Sequence, residues 1–243
     1  MPAGLDGNPD PVVSPQRTAV IEEVVSSIAR SRIPGRPLLV GIDGIDGSGK
    51  STFADELAIA LAAVGTTATR ASIDSFHRPR EQRWARGRSS PAGFYLDSHD
   101  LDAVRQSLLD PYTSGQGHPY VTETFDEPSN QPIDAEARVV GADEVLLFDG
   151  IFVQRPELAT YWDLTVFLDG SARVALDRLG YVVEELPADP ALAAIHALDW
   201  AATLDRYASG MRWHLDLIQP ADACSILIDN NDLARPTITA NRT

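Results

Sequence analysis

The stretch PLLVGIDGIDGSGKSTFADELAIALAAVG, residues 37–65, decides the fold. Its first part is a short apolar run with a glycine break, the pattern of a buried strand. Its last part is rich in Ala and Leu and closes on Gly65, the pattern of a helix with a glycine C-cap. Between them, Gly44-Ile45-Asp46-Gly47-Ser48-Gly49-Lys50-Ser51 fits the spacing G-x-x-x-x-G-K-[ST]. Glycines at these places let the backbone curl so that successive N–H groups point at an anion. The helix that follows adds its positive end. Lys50 can then reach the β- and γ-phosphates of ATP, and the Ser51 hydroxyl, with Thr52 next to it, can take a place on Mg²⁺. Lys50 is the only lysine in the chain, so a compact ammonium stands where a point charge is wanted.

Working outward, apolar residues at helical spacing over residues 18–32 predict a helix stopped at Pro34-Gly35. TTATRASID predicts a second strand, EVLLFDG a third, DLTVFLDG a fourth and ACSILIDN a fifth. Helices are expected over His99–Leu109, ended by Asp110-Pro111, from ARVALDRL, and over Ala197–Ile218. Short strands are expected around Tyr120–Phe125. Strands alternating with helices predict an α/β fold, a parallel five-stranded sheet flanked by helices with a small lid at about residues 173–206. A mixed α+β fold is the alternative. Residues 1–16 read as a flexible leader, 17–236 as one P-loop domain and 237–243 as a tail.

Composition restricts the partners. The 243 residues carry 35 acidic and 20 basic side chains, a net charge of −15. Such a surface repels nucleic acid and anionic membrane, and leaves a small-molecule substrate, with a homo-oligomer open. No apolar run is long enough to span a bilayer, and a cytoplasmic location is expected. The one cysteine, Cys224, lies in an apolar run and reads as a small buried hydrophobe. Trp162, Trp200 and Trp213 read as core.

A phosphate loop does not choose a reaction. In open α/β sheets the other ligands lie beyond the carboxyl ends of the strands. Asp74 and Asp149 end two predicted strands there. Asp74 suits a general base, with a second role near the metal, and Asp149 suits Mg²⁺ coordination. Asp169 has the same look, but a helix follows it at once and its role reads as structural. Arg78, Arg80, Arg83, Arg86 and Arg88 crowd the loop after Asp74. Several of them facing one pocket would favour a phosphorylated acceptor. Arg78, nearest to Asp74, is the expected contact.

GIDGSGKSTFADELA, DSFHRPREQRWARGRSSPAGFYLDSHD and LLFDGIFVQRPELATYWDLTVFLD, in this order, resemble the uridine kinase family. Phosphoribulokinase and type I pantothenate kinase share its superfamily plan. The resemblance implies ATP with Mg²⁺ and transfer to the 5′-hydroxyl of uridine or cytidine. It implies Asp74 as the catalytic aspartate and Phe76 and His77 near the base. It also implies Asp97, in Tyr95-Leu96-Asp97, on the ribose hydroxyls, and Arg173 at the start of the lid with Arg178 following. Alternative readings are a kinase for a pantothenate-like or pentose-phosphate acceptor, and an ATP-binding regulator with little activity.

Overall fold

The computed structural model describes residues 14–171, 174 and 205–243. At its centre lie β1 (Leu38–Gly44), β2 (Ala68–Ser72), β3 (Val145–Asp149), β4 (Leu164–Asp169), β5 (Ile226–Asp229) and β6 (Thr237–Asn241). They form one six-stranded sheet in the order β6-β5-β4-β1-β3-β2. All neighbours are parallel except β6, which runs antiparallel to β5. The α/β architecture is the expected one, with six strands rather than five. The extra strand is Thr237–Asn241, expected as a tail. It is an edge strand whose residues alternate between exposed and half-buried, a pattern too polar to stand out in sequence.

Every residue of β1 and β3 is buried, as strands covered on both faces must be. Successive side chains feed opposite cores. Leu38, Val40, Ile42, Val145 and Leu147 point into one; Leu39, Leu146 and Phe148 point into the other. The first core is closed by α1 (Pro15–Ser31), through Val24 and Ile28, and by α2 (Lys50–Ala63), through Phe53, Leu57 and Leu61. α1 begins where Ser14 Oγ accepts the Arg17 N–H at 3.0 Å and Pro15 takes the first helical position. The second core is closed by shorter pieces that carry Phe94, Val104, Leu108, Tyr112 and Phe152.

Asp110-Pro111 does not end its helix. Residues 101–114 are helical, with a π turn at Arg105–Leu109 just before the proline. Pro111 has no N–H to offer the carbonyl of Ser107, and that carbonyl accepts the Val121 N–H instead, at 3.0 Å. The expected short strands appear as Pro119–Tyr120, paired with Arg138–Val139, and Phe125–Asp126, paired with Gln131–Pro132. Of the helix expected over Ala197–Ile218, residues 205–218 are described and helical. Its first residues, Trp200, the ARVALDRL helix and most of the expected lid lie outside the described residues. Cys224 is buried, and Trp162 stacks on Phe148. Trp213, expected in the core, is 42% exposed. No helix among the described residues is long and apolar enough to cross a membrane.

Candidate active site

The strand order creates the site. From β1 the chain leaves through α2 towards β2 on one side, and from β3 it leaves towards β4 on the other. The two connections part between the carboxyl ends of β1 and β3, the crevice where open α/β sheets bind ligands. The glycine turn leaves β1 there, and Asp149 ends β3 there.

Gly44, Gly47 and Gly49 adopt φ values of 155°, 72° and 90°. A Cβ on Gly44 would stand 2.6 Å from Ser48 Oγ and 2.7 Å from the Leu168 carbonyl, so no side chain fits. Gly49 opens α2 without a side-chain cap. Lys50 Nζ donates to the Ile45 carbonyl at 2.8 Å, which folds the ammonium back over the turn. Asn230, just past β5, braces the turn by donating from Nδ2 to the Ser48 carbonyl at 2.7 Å.

Ser51 Oγ donates to Asp149 Oδ2 at 2.8 Å, while Arg70 Nη2 donates to Asp149 Oδ1 at 2.6 Å. Burial pushes the Asp149 carboxyl above its ordinary value, against the pull of Arg70, the Ser51 hydroxyl and Lys50. A hydroxyl and a carboxylate oxygen side by side suit a hard cation such as Mg²⁺, and Oδ2 is the atom on the side away from Arg70. Arg70 was not singled out in sequence, where it is one polar residue of an alternating edge strand.

Asp74 stands just past β2 in a short 3₁₀ turn, Ile73–Phe76, and its own N–H donates to Ser72 Oγ at 3.3 Å. Its side chain is 69% exposed, at the mouth of a pocket, and His99 Nε2 lies 3.9 Å from Oδ1. Crowding by protein raises the carboxyl's pKa, but His99 first, then His77 and Lys50, outweigh this and hold it below the ordinary range. His99 is brought there by a backbone bridge to His77, in which Arg78 N–H donates to Ser98 and Asp100 N–H to Phe76. Burial pushes His99 down to about 4, with Asp74 opposing, so the ring is neutral at neutral pH. Asp74, expected also near the metal, thus groups with His77 and His99, whose ligating atoms lie within 4.8 Å of its own. Asp46 in the turn is raised by burial, with Lys50 pulling it down and Asp74 pushing it up. Lys50 therefore acts on Asp46, Asp74 and Asp149 alike.

The pocket in front of Asp74 has a volume of about 500 Å³. Asp46, His77, Phe94, Phe125, Ile151 and Tyr207 line it, together with Arg83 and Arg206. Several expected contacts fall elsewhere. Phe76 is fully buried in the core against Phe148. Tyr95 is buried against Phe152, under the Arg155 guanidinium. Asp97 is held by Arg86 at 2.8 Å and does not line the pocket. Arg78 does not line it either; Arg83 does, because the short helix Arg80–Arg83 turns that side chain inward. Arg80 and Arg88 lie over the Trp84 ring. Arg173 and Arg178 lie outside the described residues.

No model of a known protein family matches the chain. Solved structures do. A possible uridine kinase from Bacillus stearothermophilus superposes with a TM-score of 0.66 at 19% identity, over 86% of this chain and 97% of that one. A candidate fructose transport system kinase from Silicibacter sp. TM1040 gives 0.55 at 23%, over 77% and 94%. D-glycerate 3-kinase from Cryptococcus neoformans gives 0.53 at 15%, over 94% and 99%.

Proposed function

We propose that this chain, which has the fold of the uridine kinase-like P-loop kinases, transfers the γ-phosphoryl group of ATP to a hydroxyl of a small metabolite. One observation carries the reading. Asp74 stands at the mouth of a pocket that Asp46 of the phosphate-binding turn also lines, so the carboxylate and the turn face one space.

The curled turn and Lys50 hold the triphosphate. Asp74 is ionised at neutral pH and accepts the proton of the acceptor hydroxyl. The freed oxygen attacks the γ-phosphorus, the bond to the β–γ bridging oxygen breaks, and ADP leaves. Mg²⁺, carried by Ser51 and Asp149, would neutralise charge on the β- and γ-phosphate oxygens. Neutral His99, with Nε2 3.9 Å from Asp74 Oδ1, does not compete for the proton.

The finer reading, transfer to the 5′-hydroxyl of uridine or cytidine, draws support from the sequence resemblance and from the name of the Bacillus neighbour. The position of Asp97, taken up by Arg86, weakens its ribose contact. The test is ADP release with ATP and Mg²⁺ against a panel of uridine, cytidine, pantothenate and pentose phosphates. Acceptor-stimulated ADP supports the kinase reading and names the acceptor. ATP binding without stimulation by any acceptor points to a regulator instead.

A further inference from the structure

Arg83 and Arg206 both line the acceptor pocket, and both are more than nine-tenths buried, at 7% and 8% exposure. A buried guanidinium is costly unless carboxylates or carbonyls take up its donors. Arg83 has one carboxylate beside it, and Arg206 has none among the described residues. Arg83 Nη2 lies 2.7 Å from Glu127 Oε1, but off the N–H direction, so that no hydrogen bond forms, and Nε has no partner either. Glu127 is itself 40% exposed. Arg206 donates from Nη1 to the Arg88 carbonyl, its Nε is unpartnered, and it has no carboxylate partner among the described residues. Burial lowers its pKa, Tyr207 opposes this, and Arg83 and Arg88 lower it further.

The fold holds Arg206 in this unfavourable place by rigid means. Its helix, residues 205–218, meets the Pro91–Asp97 segment where Gly210 packs: a Cβ there would stand 2.6 Å from the Phe94 ring. Arg206 and Tyr207 both pack on Phe94. Two turns on, His214 is hydrogen-bonded at 2.9 Å to Asp43, the residue before the phosphate-binding turn. Arg83 faces Glu127, while Arg206 has no carboxylate at ion-pair distance among the described residues; Asp46, Asp74, Glu123 and Asp126 also line the pocket, and an anion seated against the two guanidinium groups would supply the partner that Arg206 lacks.

We propose that Arg83 and Arg206 bind an oxyanion on the acceptor, a phosphate monoester or a carboxylate, so that the acceptor is an anionic alcohol rather than a neutral nucleoside. Glu127 holds the place of that anion in its absence. This rests on the kinase reading for the location of the acceptor, and the test separates the two. The phosphate-binding turn is first filled with β,γ-imido-ATP and Mg²⁺, followed by calorimetry. Matched pairs are then titrated: ribose against ribose 5-phosphate, and glycerol against glycerol 3-phosphate and glycerate. At least one anionic member is expected to bind 10-fold or more tightly than its neutral partner. The phosphate and carboxylate arms tell which oxyanion is read. Arg206→Gln and Arg83→Gln are expected to abolish the preference, and Arg206→Lys to keep part of it. Glu127→Gln, which removes the internal stand-in, should strengthen anion binding and guards against loss of fold in the arginine variants. Equal affinity within every pair, no binding of any member, or a preference that survives both glutamine variants overturns the proposal. Failure of the nucleotide analogue to bind overturns the kinase reading instead.

Discussion

Ser51 Oγ and Asp149 Oδ2 lie 2.8 Å apart, one at the start of α2 and the other at the end of β3, across the crevice where the two connections part. Asp149→Asn keeps the volume and the link to Ser51 but removes the charge. Turnover is expected to fall by about 10²-fold or more, with the Mg²⁺ concentration for half-maximal rate displaced upward. A steady-state Mg²⁺ titration of both proteins measures this. Arg70→Ala leaves the same carboxylate without its closest cation, and should cost about 3 kcal/mol of stability by denaturant titration. A variant of Asp149 with an unchanged Mg²⁺ profile would remove it from the metal site.

The pairing of Asp74 with His99 predicts the pH profile. Asp74 is held below the ordinary range, so kcat/KM should show no acid limb from it between pH 5 and 8. His99→Gln withdraws the largest of the lowering influences, and the limb should move up in pH. Asp74→Asn should leave ATP binding intact and cut turnover by roughly 10²-fold or more. An acid limb near the ordinary histidine value in the unaltered protein would point to another base.

His99 also ties stability to pH. Its native pKa, about 4, lies below its ordinary value of 6.5, so the unfolded chain takes up the extra proton between them. Stability is therefore full above pH 6.5 and declines as the pH falls towards 4, by about 3 kcal/mol from this group. Melting temperatures at pH 7 and pH 4.5 are expected to differ less in His99→Phe than in the unaltered protein. Equal differences would mean that His99 is charged in its buried place.

Asp43 accepts from Gly44 N–H at 2.7 Å, from Gln154 N–H at 2.9 Å and from His214 Nε2 at 2.9 Å, all within the core. Asp43→Ala strands three donors and should cost about 3 kcal/mol or more. For a chain of this size that lowers the melting temperature by roughly 6–12 °C. Calorimetry gives the value; a change under about 1 °C would show that the cluster does not hold the helix to the sheet.

The central strand, the glycine turn and α2 were legible because their signals are local: a run of apolar residues, a fixed spacing and a capping glycine. Asp149 was legible for the same reason, ending VLLFD. Arg83 and Arg206 were not separable from the other arginines, since what distinguishes them is the face on which a short helix and a distant one present them. Asp43 and His214 meet only through tertiary packing. Asp97 shows the converse: a family pattern placed it at the ribose, while here it lies with Arg86, and Tyr95 of the same segment lies in the core against Phe152. Pro111 was read as a stop because proline usually is one, and the π turn that admits it has no sequence signature of its own.

The most direct measurement follows the label of γ-labelled ATP, with Mg²⁺ and the acceptor panel, in the unaltered protein, Lys50→Ala and Asp74→Asn. Label is expected in a phosphomonoester of one acceptor with the unaltered protein. Lys50→Ala is expected to lose both nucleotide binding and transfer, and Asp74→Asn to bind with little transfer. Label that appears only as inorganic phosphate, or transfer that persists undiminished in Asp74→Asn, would contradict the kinase reading.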